Sequence, residues 1–318
     1  MIEILEVLAE TYQKSTREDF VSFINQYPEQ LSWHLISDYC FDDLNKQNDT
    51  ATFSVLLNHD KIPTILDAIN SHSPKDLKNT RTINPKFLNY INSKVFFHFT
   101  FIFDRKDSFL KDLETDSFAA NTVDQFIIHL GNWEKNVPEV KGYVAAVKKR
   151  LSLLKNDTKK KSFNRKLFRK MFIISLLSSF LCHELNILSK PKYISWISDR
   201  DSIINSFDGV TFDLSFVLML LFAQDYNNNH IENPVNPPVI KYILPEDGKS
   251  NYLDPLIRIP DYLTGTLADL DILKKEFSKD KYYDICFSSL LEAPNHSIIW
   301  TSKNKNTLRY STKRIKVI

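Results

Sequence analysis

Two stretches decide the fold: Ser32-Trp33-His34-Leu35-Ile36-Ser37-Asp38 and Ser195-Trp196-Ile197-Ser198-Asp199. Each is a short apolar run rich in strand-forming residues, and each ends in Ile-Ser-Asp. Alternation with period two sends successive side chains to opposite faces of a sheet. The aspartate that follows the last apolar residue then stands at the sheet edge, where loops build sites. If the two strands are neighbours, Asp38 and Asp199 stand side by side. Paired carboxylates either share a proton or bind a divalent cation. Each also has a plain structural alternative: Asp38 as a turn residue, and Asp199 or Asp201 as the N-cap of a helix starting at Ser202.

Working outward, further strands are expected at 51–57, 95–103 and 239–244. Helices are expected at 2–13, 17–27, 62–70, 162–188, 202–223, 254–273 and 279–292. Residues 297–300 and 308–318 look strand-like and suit a terminal hairpin. Three consecutive strands with short connections favour an antiparallel meander, and the next two, separated by helices, favour parallel crossovers. The expected fold is therefore α/β: a mixed five-stranded sheet, three antiparallel then two parallel strands, flanked by helices. Residues 1–30 form an N-terminal helical segment, and 31–318 one domain with a helical, basic insertion at about 105–190.

Composition narrows the chemistry. The 318 residues contain only five glycines, at 131, 142, 209, 248 and 265. Glycine-rich phosphate-binding turns need clustered glycines, so a dinucleotide-binding or P-loop enzyme is excluded. The three cysteines, Cys40, Cys182 and Cys286, are far apart and lack zinc spacing, and buried free thiols in a reducing cytosol are expected. The acid-containing N-terminus does not look like a signal peptide. The apolar runs Met171–Leu181 and Val210–Ala223 are shorter than a bilayer span and read as core helices, so no membrane association is expected.

Net charge is +2, from 41 basic and 39 acidic residues, but its distribution is uneven. Residues 148–170 hold 11 basic residues against one acid, Asp157, and include Lys159, Lys160, Lys161, Arg165, Lys166 and Arg169. Residues 303–318 hold six and no acid. Such segments suit phosphate contacts without sequence readout, so nucleic acid, DNA or RNA, is the expected partner. A solvated helix connection and a basic tail would look the same. His183-Glu184 lacks a second histidine four residues on and is read as structural.

A third acidic candidate is Arg258-Ile259-Pro260-Asp261-Tyr262-Leu263-Thr264-Gly265, with Asp269 following. Asp261, Gly265 and Asp269 recur every four residues and share one helical face. Gly265, one turn past Asp261, leaves room for another backbone or a ligand.

Together these stretches resemble a prokaryotic family of ribonuclease-H-like proteins, the domain-of-unknown-function family DUF 3800 of the retroviral-integrase superfamily. Its members open with a Tyr-Ile-Asp-Glu-Ser-Gly strand and close with a Leu-Gln-Leu-Ala-Asp-Leu-Ile-Ala-Gly helix. Asp38 matches the opening, Asp199 the middle strand, and Ile257, Ile259, Asp261 and Gly265 the closing helix. The following Glu and Gly of the opening are absent, Arg258 replaces Gln, and Pro260 replaces Ala. The resemblance spans about 31–273. It implies a ribonuclease-H-like fold and hydrolysis of phosphodiesters with Mg²⁺ or Mn²⁺. Asp38, Asp199 and Asp261 would be catalytic metal ligands, with Asp201 and Asp269 in reserve. It further implies a cytoplasmic role in phage or mobile-element defence, with a protein partner in a multi-component system. The alternative is a non-catalytic module that keeps the fold and binds nucleic acid or protein.

Overall fold

The computed structural model describes residues 2–73, 75–105, 111–136, 141–199, 201–243, 252–290, 294–303 and 310–315. It divides into two compact units. The first holds residues 1–109, 188–199 and 239–318, and the second residues 110–187 and 200–238.

The first unit is built on one mixed sheet. Its strands are β1 (Ser32–Cys40), β2 (Asp49–Leu57), β3 (Phe96–Phe103), β4 (Tyr193–Ser198), β5 (Ile240–Ile243), β6 (His296–Lys303) and β7 (Tyr310–Ile315). Their order is β5-β4-β1-β2-β3-β6-β7. The first three strands form the antiparallel meander, and β4 and β5 add in parallel beside β1. The expected count of five is corrected to seven. The terminal pair is antiparallel, but β6 also pairs in parallel with β3, from His98 against His296 to Phe103 against Thr301. This covers an edge that would otherwise leave the eight buried residues of Phe96–Phe103 with one row of unpaired backbone groups.

Alternation along the strands builds two cores. Trp33, Phe97 and Phe99 point to one face, where they meet Phe20 and Phe23 of α2 (Arg17–Ile24) and Tyr12 of α1 (Ile2–Ser15). Helix α1 is fixed to β7 by Thr11 Oγ1 donating to Thr312 O at 3.1 Å and Thr312 Oγ1 donating to Val7 O at 2.7 Å. Ile36, Leu56, Ile102 and Ile197 point to the other face. They pack with α3 (Ile62–His72), α4 (Pro85–Ile91), α10 (Asp254–Asp269) and α11 (Asp280–Ile285).

The second unit contains α5 (Asp116–Asn136), α6 (Lys141–Thr158), most of α7 (Arg165–Ser189), α8 (Ser202–Asn205) and α9 (Val210–Asn229). The single helix expected at 202–223 is two. Phe207, Asp208 and Gly209 have φ of 53°, 57° and 75°, a left-handed run that no right-handed helix can contain. Helix α7 is long and apolar enough to cross a membrane, and 89% of its apolar window is buried within the fold. In α9, Asp213 takes two hydrogen bonds from Arg150 of α6, at 2.6 and 2.7 Å. Ser179 of α7 donates to Ser215 O at 2.8 Å.

Candidate functional site

The parallel register of β1 and β4 ends on Ser37 against Ser198, and the N–H of Asp199 reaches Ser37 O at 3.4 Å. Asp38 and Asp199 are therefore next to one another at the same end of the sheet. The serines of the two Ile-Ser-Asp motifs tie the strand ends together on the opposite face. Trp196 Nε1 donates to Ser37 Oγ at 2.8 Å, Ser37 Oγ lies 2.5 Å from Tyr39 Oη, and Ser198 Oγ donates to Tyr39 Oη at 2.9 Å. Asp38 shares parity with Ile36, and Asp199 with Ile197. Both thus belong to the face covered by α10.

Helix α10 is held against that face by polar contacts at matched heights. Thr264 Oγ1 donates to Asp38 O at 3.2 Å, and Thr50 Oγ1 donates to Thr264 O at 3.2 Å. The β1–β2 turn caps the C-terminal end of α10. Gln47 N–H and Asn48 N–H both donate to Ala268 O, and Asn48 Nδ2 donates to Leu267 O and Leu270 O. These bonds satisfy carbonyls that a helix end leaves without partners.

Asp261 lies one turn before Thr264. Its Oδ2 accepts the N–H of Leu77 at 2.7 Å, from the 3₁₀ turn Leu77–Asn79. Burial first, and then the negative charges of Asp76 and Asp199, push the Asp261 carboxyl up to about 6, against the opposing pull of the Leu77 N–H and Lys78. Asp199 is thus within electrostatic reach of Asp261, and Asp38 stands beside Asp199 at the same end of the sheet.

The reserve acids are otherwise occupied. Asp201 accepts the N–H groups of Ile203 and Ile204 at 2.9 and 3.1 Å, as the N-cap of α8. Asp269 is buried, pairs with Lys46 Nζ at 3.2 Å, and accepts the N–H and hydroxyl of Ser278 at 2.7 and 2.8 Å. Eight helical residues separate it from Asp261, about 12 Å along the axis. That is too far for the two to share one metal. The space beside Gly265 is filled by Leu77, whose Cδ2 would stand 2.5 Å from an added Cβ.

Asp38, Asp199 and Asp261 offer only hard oxygen donors, a set whose chemistry fits Mg²⁺ or Mn²⁺. Among the described residues, no three His, Cys, Asp or Glu side chains are gathered closely enough to form a ready-made metal-holding group.

Some elements of this site carried no sequence signal. Lys281 is buried and donates from Nζ to Leu77 O at 2.5 Å and Thr80 O at 2.9 Å, fixing the turn that holds Asp261. Lys46 donates to Gly265 O at 3.2 Å and Tyr282 Oη at 2.8 Å. Both lysines read as ordinary surface charges until the fold places them.

The basic segment is only partly available. Lys159, Lys160, Lys161 and Lys166 are exposed around the α6–α7 connection, with Lys160 paired to Asp157. Arg165 is half-buried, while Arg169 is buried and paired with Glu114. Lys148, Arg150 and Lys155 pair with Glu134, Asp213 and Asp124. In the basic tail, Arg314 binds Asp19 at 2.5 Å, and Lys305, Arg309 and Lys316 lie outside the described residues. His183 is buried against Phe222 and Tyr226, and burial pushes it down to about 4. All three cysteines are free thiols; Cys182 and Cys286 are buried and Cys40 is half-buried.

Comparison of the chain with known proteins finds no matching family model, no matching curated protein and no matching solved structure.

Proposed function

We propose that this chain is a ribonuclease-H-like, divalent-metal-dependent phosphodiesterase that acts on nucleic acid. The observation that carries the reading is the shared location of Asp38, Asp199 and Asp261. They come from β1, β4 and α10 to one end and one side of the sheet. The arrangement of β1 to β5, a meander followed by two parallel strands, supports the same reading. Asp38 and Asp199 would hold the cation, and Asp261 would complete its surroundings. Mg²⁺ or Mn²⁺ bound there would activate a water and neutralise charge on the phosphodiester. The exposed lysines at 159, 161 and 166 would contact nucleic-acid phosphates. A cytoplasmic setting in phage or mobile-element defence, with a protein partner, belongs to the same proposal through the family resemblance.

The test is degradation of single- and double-stranded DNA and RNA with Mg²⁺ or Mn²⁺, comparing wild type with Asp199→Ala and Asp38→Asn. Metal-dependent cleavage lost in both variants is expected. Equal activity in all three would place the chemistry elsewhere. A second reading, a non-catalytic binding module on the same fold, is favoured by the missing three-carboxylate cluster among the described residues. It predicts salt-sensitive binding with no cleavage under any metal.

A further inference from the structure

Beside α10 the first unit opens into a cavity of about 610 Å³. Its wall runs along the segment between α3 and α4 and includes His72, Lys75, Asn79, Thr80 and Arg81, closed on the helix side by Tyr262. Among the described residues, none of its lining is acidic. The side chains of Lys75 and Arg81 are exposed and make no hydrogen bond or ion pair among the described residues. Threonine hydroxyls and asparagine amides around them add neutral donors.

We propose that this cavity is a phosphate-binding subsite that receives the backbone of a nucleic-acid strand. The identity of the ligand rests on the nucleic-acid reading above. The chemistry of the walls selects an anion with several acceptor oxygens: two unpaired cations, neutral donors and, among the described residues, no lining carboxylate to repel it.

The cavity is also connected to Asp261. Tyr262 Oη bonds Ser73 Oγ at 2.8 Å and Thr80 Oγ1 at 3.2 Å, so the helix residue next to Asp261 braces the cavity wall. The same wall contains the turn whose Leu77 N–H holds Asp261. Arg258 Nη1 fixes the start of the segment by donating to Ser73 O at 2.7 Å and Asn70 Oδ1 at 2.6 Å. A phosphate seated between Lys75 and Arg81 would therefore lie against a wall rigidly joined to the acidic end of the sheet.

The experiment is binding of a fluorescein-labelled 15-nucleotide single strand, DNA and RNA in turn, followed by anisotropy. EDTA keeps cleavage silent, and affinities are taken at about 50 and 200 mM salt. Lys75→Ala with Arg81→Ala should weaken binding about tenfold or more at low salt and flatten the salt dependence by between one and two charges. Lys159→Ala with Lys161→Ala should weaken it less. An unchanged affinity and salt slope in the Lys75/Arg81 variant, with its urea midpoint equal to wild type, overturns the proposal. Absence of oligonucleotide binding by wild type overturns it too. Inorganic phosphate is run as a second ligand. Phosphate binding lost in the variant, without oligonucleotide binding, keeps an anion site but overturns its assignment to a strand. Because no metal is present, a failed cleavage test leaves this result standing, and the two readings fail separately.

Discussion

The N–H of Leu77 donates to Asp261 Oδ2 at 2.7 Å, and the Leu77 side chain fills the space beside Gly265, one helical turn further on. One residue of a 3₁₀ turn thus fixes both the carboxylate and the backbone of the helix that carries it. The Leu77 carbonyl is held in turn by the buried Lys281. The position of Asp261 is set less by α10 alone than by this turn.

Asp261 should give the protein an unusual pH dependence in metal-free buffer. Its folded-state carboxyl is raised to about 6 by burial and by Asp76 and Asp199. A raised folded value means that the folded state holds its proton where the unfolded chain has released it. The associated stability is present below about pH 4 and is lost as the pH rises through about 6. Discounted for solvent at its exposed edge, the loss is on the order of 1–2 kcal/mol. Asp261→Asn keeps an acceptor for Leu77 N–H and removes the titration. Its urea-unfolding stability should exceed wild type at pH 7.5 and converge on it near pH 4. Mg²⁺ bound at the site should shrink the difference at pH 7.5. A constant gap from pH 4 to 7.5 would mean that Asp261 does not titrate in this range.

Gly265→Ala should be destabilising although alanine is the better helix former. The added Cβ would meet Leu77 Cδ2 at 2.5 Å, and Leu77 is itself buried. Overpacking of this kind costs about 1–3 kcal/mol, more than the roughly 1 kcal/mol of helix propensity gained. Leu77→Ala removes the obstruction. The double variant should then be more stable than the sum of the two single losses by at least about 1 kcal/mol in denaturant titrations. Additive losses would show that the two positions do not compete for one space.

How far the site could be read from sequence depends on what each residue needed. The Ile-Ser-Asp echo put an aspartate at the end of each strand because alternation is a local fact, but it left their adjacency a condition, which the pairing of Ser37 with Ser198 meets. Spacing put Asp261, Gly265 and Asp269 on one face of α10, but periodicity carries no information about height. Asp269 therefore stood as a reserve for Asp261, while Lys46 and Ser278 hold it at the other end. The sheet was undercounted because the terminal strands read as a hairpin, whereas β6 finds its second partner, β3, nearly two hundred residues earlier. The break at Phe207–Asp208–Gly209 lies within an apolar pattern that continues on both sides, so hydrophobic periodicity could not show it. The Leu77 turn and Lys281 acquire their roles only through tertiary contact.

The ion pair of Arg150 and Asp213 should be costly to break from one side. Asp213 is buried, with its side chain 3% exposed, and both its oxygens take hydrogen bonds from the Arg150 guanidinium. Arg150→Met leaves that carboxylate without its cation and should destabilise the protein by about 3 kcal/mol at pH 7. Arg150→Met with Asp213→Leu removes the unpaired charge and should recover most of the loss. Thermal or urea unfolding of the three variants decides this. Equal losses in the single and double variants would point to Arg150 acting through packing alone.

Two buried histidines should make the sheet acid-labile, with a slope opposite to that of Asp261. Burial keeps the His98 ring neutral near pH 7. Its Nε2 lies 3.0 Å from Ile91 O and must donate to that carbonyl, so the proton is on Nε2 and Nδ1 accepts from Ser54 Oγ at 2.8 Å. His296 Nε2 is 3.0 Å from Thr100 Oγ1, and the two imidazoles meet edge to face with centroids 5.6 Å apart. Burial pushes His98 down to about 4 and His296 well below its ordinary value, with His98 and Arg314 adding to the latter. A lowered folded value means that the unfolded chain takes up protons first. Stability present above about pH 6.5 is then lost as the pH falls toward 4, by on the order of 2 kcal/mol or more. This slope opposes that of Asp261 between pH 4 and 6, so an Asp261→Asn background is the place to see it cleanly. In that background His296→Gln should flatten the stability profile between pH 6.5 and 4.5, as read by urea titrations at several pH values. Parallel profiles with and without His296 would show that the acid sensitivity arises elsewhere.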